Sequence, residues 1–161
     1  MVIDSESAPM TVPPIVYFLN GPNANLYGLD RNGTYGHESF VAIKRRCEDH
    51  AESLGMGLEF RQSNHEGVLV DWIQEAREKA AGLVINAAGL TYTSVAILDA
   101  LLAVDGPIIE AHMSNIWKRE PFRHHSYVSR AATGVVAGLG ALGYELALTA
   151  VARLIAEQAS R

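Results

Sequence analysis

Glu110 and His112 are two side chains capable of acid–base chemistry, placed two residues apart at the end of an apolar run that begins at Pro107. Side chains alternate between the two faces of a strand, so the carboxylate and the imidazole point the same way and the carboxylate can orient the imidazole. Such a pair is half of a general acid–base device. It is equally compatible with a structural pair at a strand end, and the spacing alone does not decide.

The segment that follows this pair is rich in hydrogen-bond donors and positive charge. Its polar residues are Ser114, Asn115, Lys118, Arg119, Arg123, His124 and His125. A surface loop without a ligand seldom needs so many donors, and this set suits a small, oxygen-rich anion. We therefore expect an anionic small-molecule substrate next to Glu110 and His112.

Length and charge limit what such a site can belong to. The chain has 161 residues, of which 48% are hydrophobic, which is enough for one full core. We expect one domain over residues 15–158, with a flexible leader at 1–14 and a short tail at 159–161. The formal net charge of −5 provides no general basic field, so the cations near His112 indicate a local anion site and no nucleic-acid partner.

The cysteine count and the first residues bear on the compartment. Cys47 is the only cysteine, which excludes an intramolecular disulfide and a cysteine-built zinc site and fits a reducing environment. Residues 1–14 contain Asp4 and Glu6 and lack a basic start and an apolar stretch, unlike a secretion signal. No segment is long and apolar enough to span a membrane. We expect a cytoplasmic protein without a membrane partner.

Strand-like and helix-like segments alternate along the chain. Strand patterns occur at residues 15–19, 58–63, 83–86, 107–112 and 133–137. Helical spacing of apolar residues occurs at 39–54, 68–76 and 94–102. After the segment 138–143, an alanine- and leucine-rich helix is expected to continue to about residue 158. A repeated β-α pattern predicts an α/β fold with a five-stranded parallel sheet, flavodoxin-like, with helices on both faces. The glycine-rich segment 28–36 is expected to be a mobile loop.

Polar residues collect where three of these strands end, at 20–23, 86–93 and 112–114. Ligands of such sheets bind beyond the carboxyl ends of the strands, so the three segments should form one pocket. The motifs of dinucleotide and nucleoside-triphosphate sites are absent, and the histidines lack a metal-ligand spacing. No lysine lies at an apolar strand end, where an imine-forming amine is expected. We therefore expect neither a metal nor a cofactor.

Several segments, in order, resemble the type II 3-dehydroquinate dehydratases. They are NGPN at 20–23, YG at 35–36, FRQSNHEG at 60–67, VDWI at 70–73, Asn86, TSV at 93–95, EAHMSN at 110–115 and residues 119–129. The resemblance covers residues 15–155, and so many ordered matches are far more specific than one short motif. It implies a hydro-lyase of the shikimate or quinate route that eliminates water from 3-dehydroquinate without a metal or cofactor.

The same resemblance implies roles for individual residues. Tyr35 would be the base, Asn23 would help to hold a water that stabilises an enolate, and His112, oriented by Glu110, would protonate the departing hydroxyl. The implied substrate-binding residues are Asn86, Tyr92, Asp99, Met113, Ser114, Arg119 and Arg123. Asp99 would reach a neighbour's active site, because the resemblance also implies a homotrimer that assembles into a dodecamer. The apolar character of residues 94–102 around the helix circumference favours such burial between copies.

Three positions depart from the family pattern. The arginine that activates the tyrosine in the family falls on Asp30, with Arg31 one step later, and two family histidines are replaced by Tyr92 and Trp117. A carboxylate beside a phenol disfavours phenolate. We therefore expect either that Arg31 activates Tyr35 while Asp30 points to solvent, or that the base is activated differently. Two alternatives remain open: a same-fold enzyme acting on a related hydroxy-keto acid, and a non-catalytic oligomeric binding protein.

Overall fold

Five parallel strands form one sheet in the computed structural model, which describes residues 11–161. The strands are β1 (Ile15–Asn20), β2 (Gly57–Gln62), β3 (Gly82–Asn86), β4 (Ile108–His112) and β5 (Gly134–Ala137). Their order across the sheet is β2-β1-β3-β4-β5, and every neighbouring pair is parallel. This is the strand order of a flavodoxin-like sheet, so the predicted fold class is confirmed.

Four α-helices cover the two faces of the sheet, as predicted. They are α1 (Phe40–Ser53), α2 (Glu66–Lys79), α3 (Val95–Leu102) and α4 (Gly140–Ala159). The helices α1 and α4 pack on one face, and α2 and α3 pack on the other, so each face has its own apolar cluster. Because both faces are covered, the central strands are buried at nearly every position.

The side chains of β1 illustrate how one strand serves both clusters. Val16 and Phe18 face α1 and α4, whereas Tyr17 and Leu19 face α2 and α3. Burying such a side chain stabilises the fold by about 1.5–3 kcal/mol. The alternation of apolar residues along the strand therefore fixes its orientation in the sheet.

Two helices begin at serine caps that the sequence indicates. Ser39 Oγ accepts a hydrogen bond from Ala42 N (3.1 Å) at the start of α1, and Ser94 Oγ accepts one from Ile97 N (2.9 Å) at the start of α3. The last helix begins at Gly140, inside the segment 138–143 that was predicted to precede it. Gly138 has a φ of 90°, which ends the strand in a turn and cannot belong to a helix.

The structure describes the C-terminal end of the chain in full, but the N-terminal end only from residue 11. The predicted leader, residues 1–14, lies outside the described residues up to position 10, and residues 11–14 precede β1 without regular structure. The helix α4 continues to Ala159, the first residue of the tail expected at 159–161. Within the part of the chain that the structure describes, no helix is long and apolar enough to cross a membrane.

Candidate active site

A cavity of about 140 Å³ lies at the carboxyl edge of the sheet, where β1, β3 and β4 end. Its walls come from three strand ends, from the loop between β1 and α1, and from the segment after β4. The lining residues are Pro22, Asn23, Tyr27, Tyr35, Asn86, Ala88, Gly89, Tyr92, His112, Met113, Ser114, Arg119 and Arg123. The three polar strand ends thus converge on one pocket, as expected from parallel strands.

Glu110 and His112 form a buried pair at the end of β4. The Nε2 atom of His112 lies 2.7 Å from Glu110 Oε1, and the two residues are 4% and 1% exposed. His112 lines the cavity, while Glu110 lies behind it. Because Nε2 contacts the carboxylate, the second ring nitrogen, Nδ1, remains available to a group in the cavity.

Two serines of the segment after β4 complete the surroundings of this carboxylate. Ser126 Oγ donates to Glu110 Oε1 (2.7 Å), and Ser129 Oγ donates to Oε2. Burial by itself would raise the pKa of Glu110, but the hydrogen bonds from His112, Ser129 and Ser126 outweigh burial and lower it. The group behind the imidazole is therefore an anion, which can stabilise a protonated histidine.

Tyr35 meets a guanidinium inside the cavity. Arg119 Nη1 lies 3.1 Å from the Tyr35 hydroxyl and 3.2 Å from Ser114 Oγ, and the guanidinium carbon lies 5.5 Å from the centroid of the tyrosine ring. The hydroxyl of Tyr35 thus has a cationic hydrogen-bond donor as its neighbour, and this donor comes from the segment after β4.

The structure brings Arg119, and not Arg31, to the phenol. The carboxylate of Asp30 accepts hydrogen bonds from Asn32 N (3.0 Å) and Thr34 N (2.7 Å), which lower the pKa of Asp30 and fold this segment into a turn. Arg31 is exposed on this turn and is not among the cavity-lining residues. The carboxylate of Asp30 is thus held by its own turn, and Asp30 and Tyr35 together line a second, neighbouring cavity.

The floor of the cavity is a network of buried amides and phenols. Asn86 Nδ2 donates to the hydroxyls of Tyr27 (2.8 Å) and Tyr144 (2.6 Å), and the Tyr144 hydroxyl donates to Asn20 Oδ1 (2.8 Å). Asn86 Oδ1 accepts from Ala88 N (3.1 Å). These bonds join β1, β3 and α4 beneath the cavity and fix the side chain of Asn86.

Backbone geometry keeps the ends of β1 and β3 close together at this floor. Gly21 N donates to Asn86 O (2.8 Å), and a Cβ atom at Gly21 would lie 2.5 Å from Ala87 O, so a larger residue does not fit. Ala88 has a φ of 52°, an unusual conformation for a residue with a side chain. The hydrogen bond from its N–H to Asn86 holds that conformation next to the cavity.

The rim of the cavity combines aromatic rings with charge. The guanidinium carbon of Arg123 lies 5.4 Å from the centroid of the Tyr92 ring, and Arg123 Nε donates to Glu120 Oε2 (2.8 Å). Glu120 is also 3.7 Å from Arg119 Nε. Met113 and Ser114 lie between this rim and His112. The positive charge expected near an anionic substrate is therefore present on this side of the cavity.

Some of the residues predicted from the sequence lie away from the cavity. Asp99 is exposed on α3 and does not line it. Trp117 is 61% exposed, and the centroid of its ring lies 5.3 Å from that of His124.

Asn23, by contrast, lines the cavity. Its backbone has a φ of 70°, and its N–H donates to Asn64 Oδ1 (2.9 Å).

Sequence reasoning missed Tyr27, which lines the cavity and bonds to Asn86. The chain forms a short 3₁₀ helix at Ala24–Leu26 directly after the first strand end, which returns Tyr27 to the cavity. The one feature of the sequence that could have indicated Tyr27 is its position four residues after Asn23.

No group of histidine, cysteine, aspartate and glutamate side chains suited to a metal ion occurs between residues 11 and 161.

The fold and the cavity together define a doubly wound α/β protein with a polar cavity at the carboxyl edge of its sheet. Comparison with known proteins narrows this class. A family profile described as dehydroquinase class II matches residues 14–152. The chain belongs to this family.

Individual relatives agree with the family match. The chain is 59% identical over 139 residues to a 3-dehydroquinate dehydratase of Phenylobacterium zucineum, covering 86% of this chain and 96% of that protein. It is 51% identical over 147 residues to 3-dehydroquinate dehydratase 2 of Pseudomonas putida, covering 91% and 99%. The crystal structure of type II dehydroquinase from Propionibacterium acnes superposes with a TM-score of 0.84 at 40% identity, covering 87% and 97%.

Proposed function

We propose that this protein is a 3-dehydroquinate dehydratase that eliminates water from its substrate by acid–base catalysis through an enolate. The observation that carries the proposal is the presence of two activated groups in one cavity. These groups are Tyr35 with Arg119 at 3.1 Å and His112 with Glu110 at 2.7 Å. The named activity of relatives at 51–59% identity supports the choice of substrate.

The first chemical step removes a proton from the carbon next to the substrate's ketone. Tyr35, as the phenolate that the guanidinium of Arg119 favours, takes this proton and becomes a neutral phenol. The electron pair moves to the ketone oxygen and forms an enolate. A water held with the help of Asn23 stabilises the enolate charge. Arg31, the residue first expected to activate the base, has no part in this scheme.

The second step expels the hydroxyl group as water. His112, protonated before this step, donates its proton to the departing oxygen while the enolate collapses to a conjugated enone. Glu110 stabilises the imidazolium and holds the ring through Nε2, so Nδ1 delivers the proton. Proton exchange with water then returns Tyr35 and His112 to their starting forms.

The substrate-binding residues surround these two groups. Arg123, Tyr92, Ser114 and Met113 line the rim, where the guanidinium suits the carboxylate of the substrate. Arg119 contacts both the phenol and Ser114, so it joins the rim to the base. Asn86 belongs to the floor. At the positions of two family histidines, Tyr92 lines this cavity and Trp117 is exposed.

We also propose that the protein assembles into homotrimers and dodecamers. Val95 and Leu102 on α3 are 51% and 61% exposed, which favours burial against another copy. Asp99 lies on the same helix, outside the cavity of its own chain, and would reach the active site of a neighbour. In an isolated chain Asp99 does not line the cavity and would not contact a substrate bound there.

The activity is tested by following the ultraviolet absorbance of the conjugated enone when purified protein is mixed with 3-dehydroquinate. We expect turnover by the wild type and a loss of at least about 10²-fold in kcat for His112→Gln, because a general acid contributes about that much. Circular dichroism should show an unchanged fold in the variant. No absorbance change at high concentrations of the wild-type protein would contradict the proposed activity.

A further inference from the structure

Tyr27 is a buried tyrosine whose hydroxyl belongs to the cavity, although the chemical steps above do not use it. The residue is 6% exposed and follows the short helix Ala24–Leu26. Its ring centroid lies 5.3 Å from that of Tyr35, so the two phenols line the cavity side by side. A second phenol beside the base needs an explanation of its own.

The hydrogen bonds of Asn86 limit what this amide can offer a substrate. Its two N–H groups donate to Tyr27 and Tyr144, and its oxygen accepts from Ala88 N. A primary amide has two donors, so no N–H group of Asn86 remains for a ligand. The polar group that continues from Asn86 into the cavity is the Tyr27 hydroxyl.

The Tyr27 hydroxyl can donate a hydrogen bond to a ligand in the cavity. Its oxygen accepts the bond from Asn86, and it lies beside the Tyr144 hydroxyl, which gives its own proton to Asn20. Among residues 11–161 no direct hydrogen bond takes the proton of Tyr27. Burial raises the pKa of Tyr27 to about 12, so the phenol stays protonated at neutral pH. A neutral O–H donor therefore borders the cavity.

We propose that Tyr27 is a substrate-binding residue that donates its hydrogen bond to a ring hydroxyl of the substrate, and that Asn86 is the positioning residue that holds it. The inference rests on the proposed function, because it takes a polyhydroxylated cyclic acid as the substrate. The arginines Arg119 and Arg123 suit the anionic part of that molecule, whereas a neutral donor suits an uncharged oxygen. Tyr27 thereby contributes to the choice of substrate.

Tyr27→Phe tests the inference, because it removes one oxygen atom and keeps the ring. We expect KM for 3-dehydroquinate to rise about 3- to 10-fold, the effect of one neutral hydrogen bond, with kcat within about 2-fold of the wild type. Calorimetric titration with quinate gives a reading without turnover. Quinate carries a hydroxyl in place of the ketone and cannot react, and its affinity should fall by a similar factor.

Tyr17→Phe is the matched control, because Tyr17 is a buried tyrosine of β1 outside the cavity. Its KM, kcat and affinity for quinate should equal those of the wild type. Unchanged KM and quinate affinity in Tyr27→Phe would overturn the inference, and so would a fall in kcat alone. Absence of turnover in the wild type would instead contradict the proposed function, and the quinate titration would still decide for or against Tyr27.

Discussion

At the scale of single residues, the site contains one buried carboxylate, that of Glu110, which is surrounded by hydrogen-bond donors. Glu110 is almost wholly buried and would be costly as a charge if it were unpaired. His112, Ser126 and Ser129 all bond to it, and these bonds lower the pKa of Glu110 against the effect of burial. The carboxylate therefore stabilises the fold only while it is ionised.

Ser126→Ala tests this dependence. A group with a lowered folded-state pKa contributes stability above its unfolded-state pKa, about 4.3 for glutamate, and loses it as the pH falls through the folded-state value. We therefore expect the variant to be less stable by about 1–3 kcal/mol near pH 7 and the difference to narrow as the pH falls below about 4.3. Thermal unfolding across this range measures the difference.

Ser160→Ala is the control for that comparison. Its hydroxyl donates to Glu157 O (3.0 Å) at the exposed end of α4, far from any buried carboxylate. Its melting temperature should follow that of the wild type at each pH. A Ser126→Ala difference that is constant with pH would show that Glu110 is not the group affected.

At the scale of elements, α4 supports the site through one side chain. Tyr144 is fully buried and bonds to Asn20 and Asn86, which end β1 and β3. The helix is thus tied to the floor of the cavity as well as to the apolar face of the sheet. Burial raises the pKa of Tyr144 well above that of an ordinary tyrosine, so its hydroxyl keeps its proton in this network.

Tyr144→Phe should lower the free energy of unfolding by about 1–3 kcal/mol, because it leaves buried partners on Asn20 and Asn86 without their hydrogen bonds. Thermal or urea unfolding measures the loss. Tyr127→Phe, at a half-buried position outside this network, should change stability by less than about 0.5 kcal/mol. Equal melting temperatures for the two variants would contradict a structural role of the network.

Much of this arrangement of elements was predictable from the sequence. The β-rich runs and the helical spacing located the strands and helices, and Ser39 and Ser94 indicated two helix starts. The start of α4 was not predictable, because the turn at Gly138 depends on its close contact with Asn115. That contact joins the segment after β4 to the segment after β5, which local patterns do not describe.

The candidate site was predictable only in part, for a similar reason. The pair at the end of β4 followed from strand alternation, and the convergence of polar strand ends followed from the parallel sheet. The partner of Tyr35 did not follow, because Arg119 is 84 residues away in the chain whereas Arg31 is close in sequence. Sequence proximity within a turn does not determine which side chain faces inward.

At the scale of the whole molecule, the proposed oligomer would bring Asp99 into a neighbour's active site. In the proposed oligomer this exposed residue reaches a neighbour's cavity, so Asp99→Ala should lower kcat/KM by about 10-fold or more while each chain keeps its fold. Asp105→Ala, at an exposed position nearby, is the control and should be silent. Sedimentation should show a large assembly for both, and a fully active monomer would contradict the proposal.

In the proposed mechanism Arg119, and not Arg31, makes Tyr35 a base. The most direct measurement is the pH profile of kcat/KM for Arg119→Ala and Arg31→Ala with 3-dehydroquinate. We expect Arg119→Ala to lower kcat/KM by at least about 10²-fold. The rising limb of its profile should also move to higher pH, because the variant lacks the positive charge of Arg119 next to the phenolate. Arg31→Ala, which changes an exposed side chain, should match the wild type at every pH. A shifted limb in Arg31→Ala with an unshifted limb in Arg119→Ala would contradict the claim.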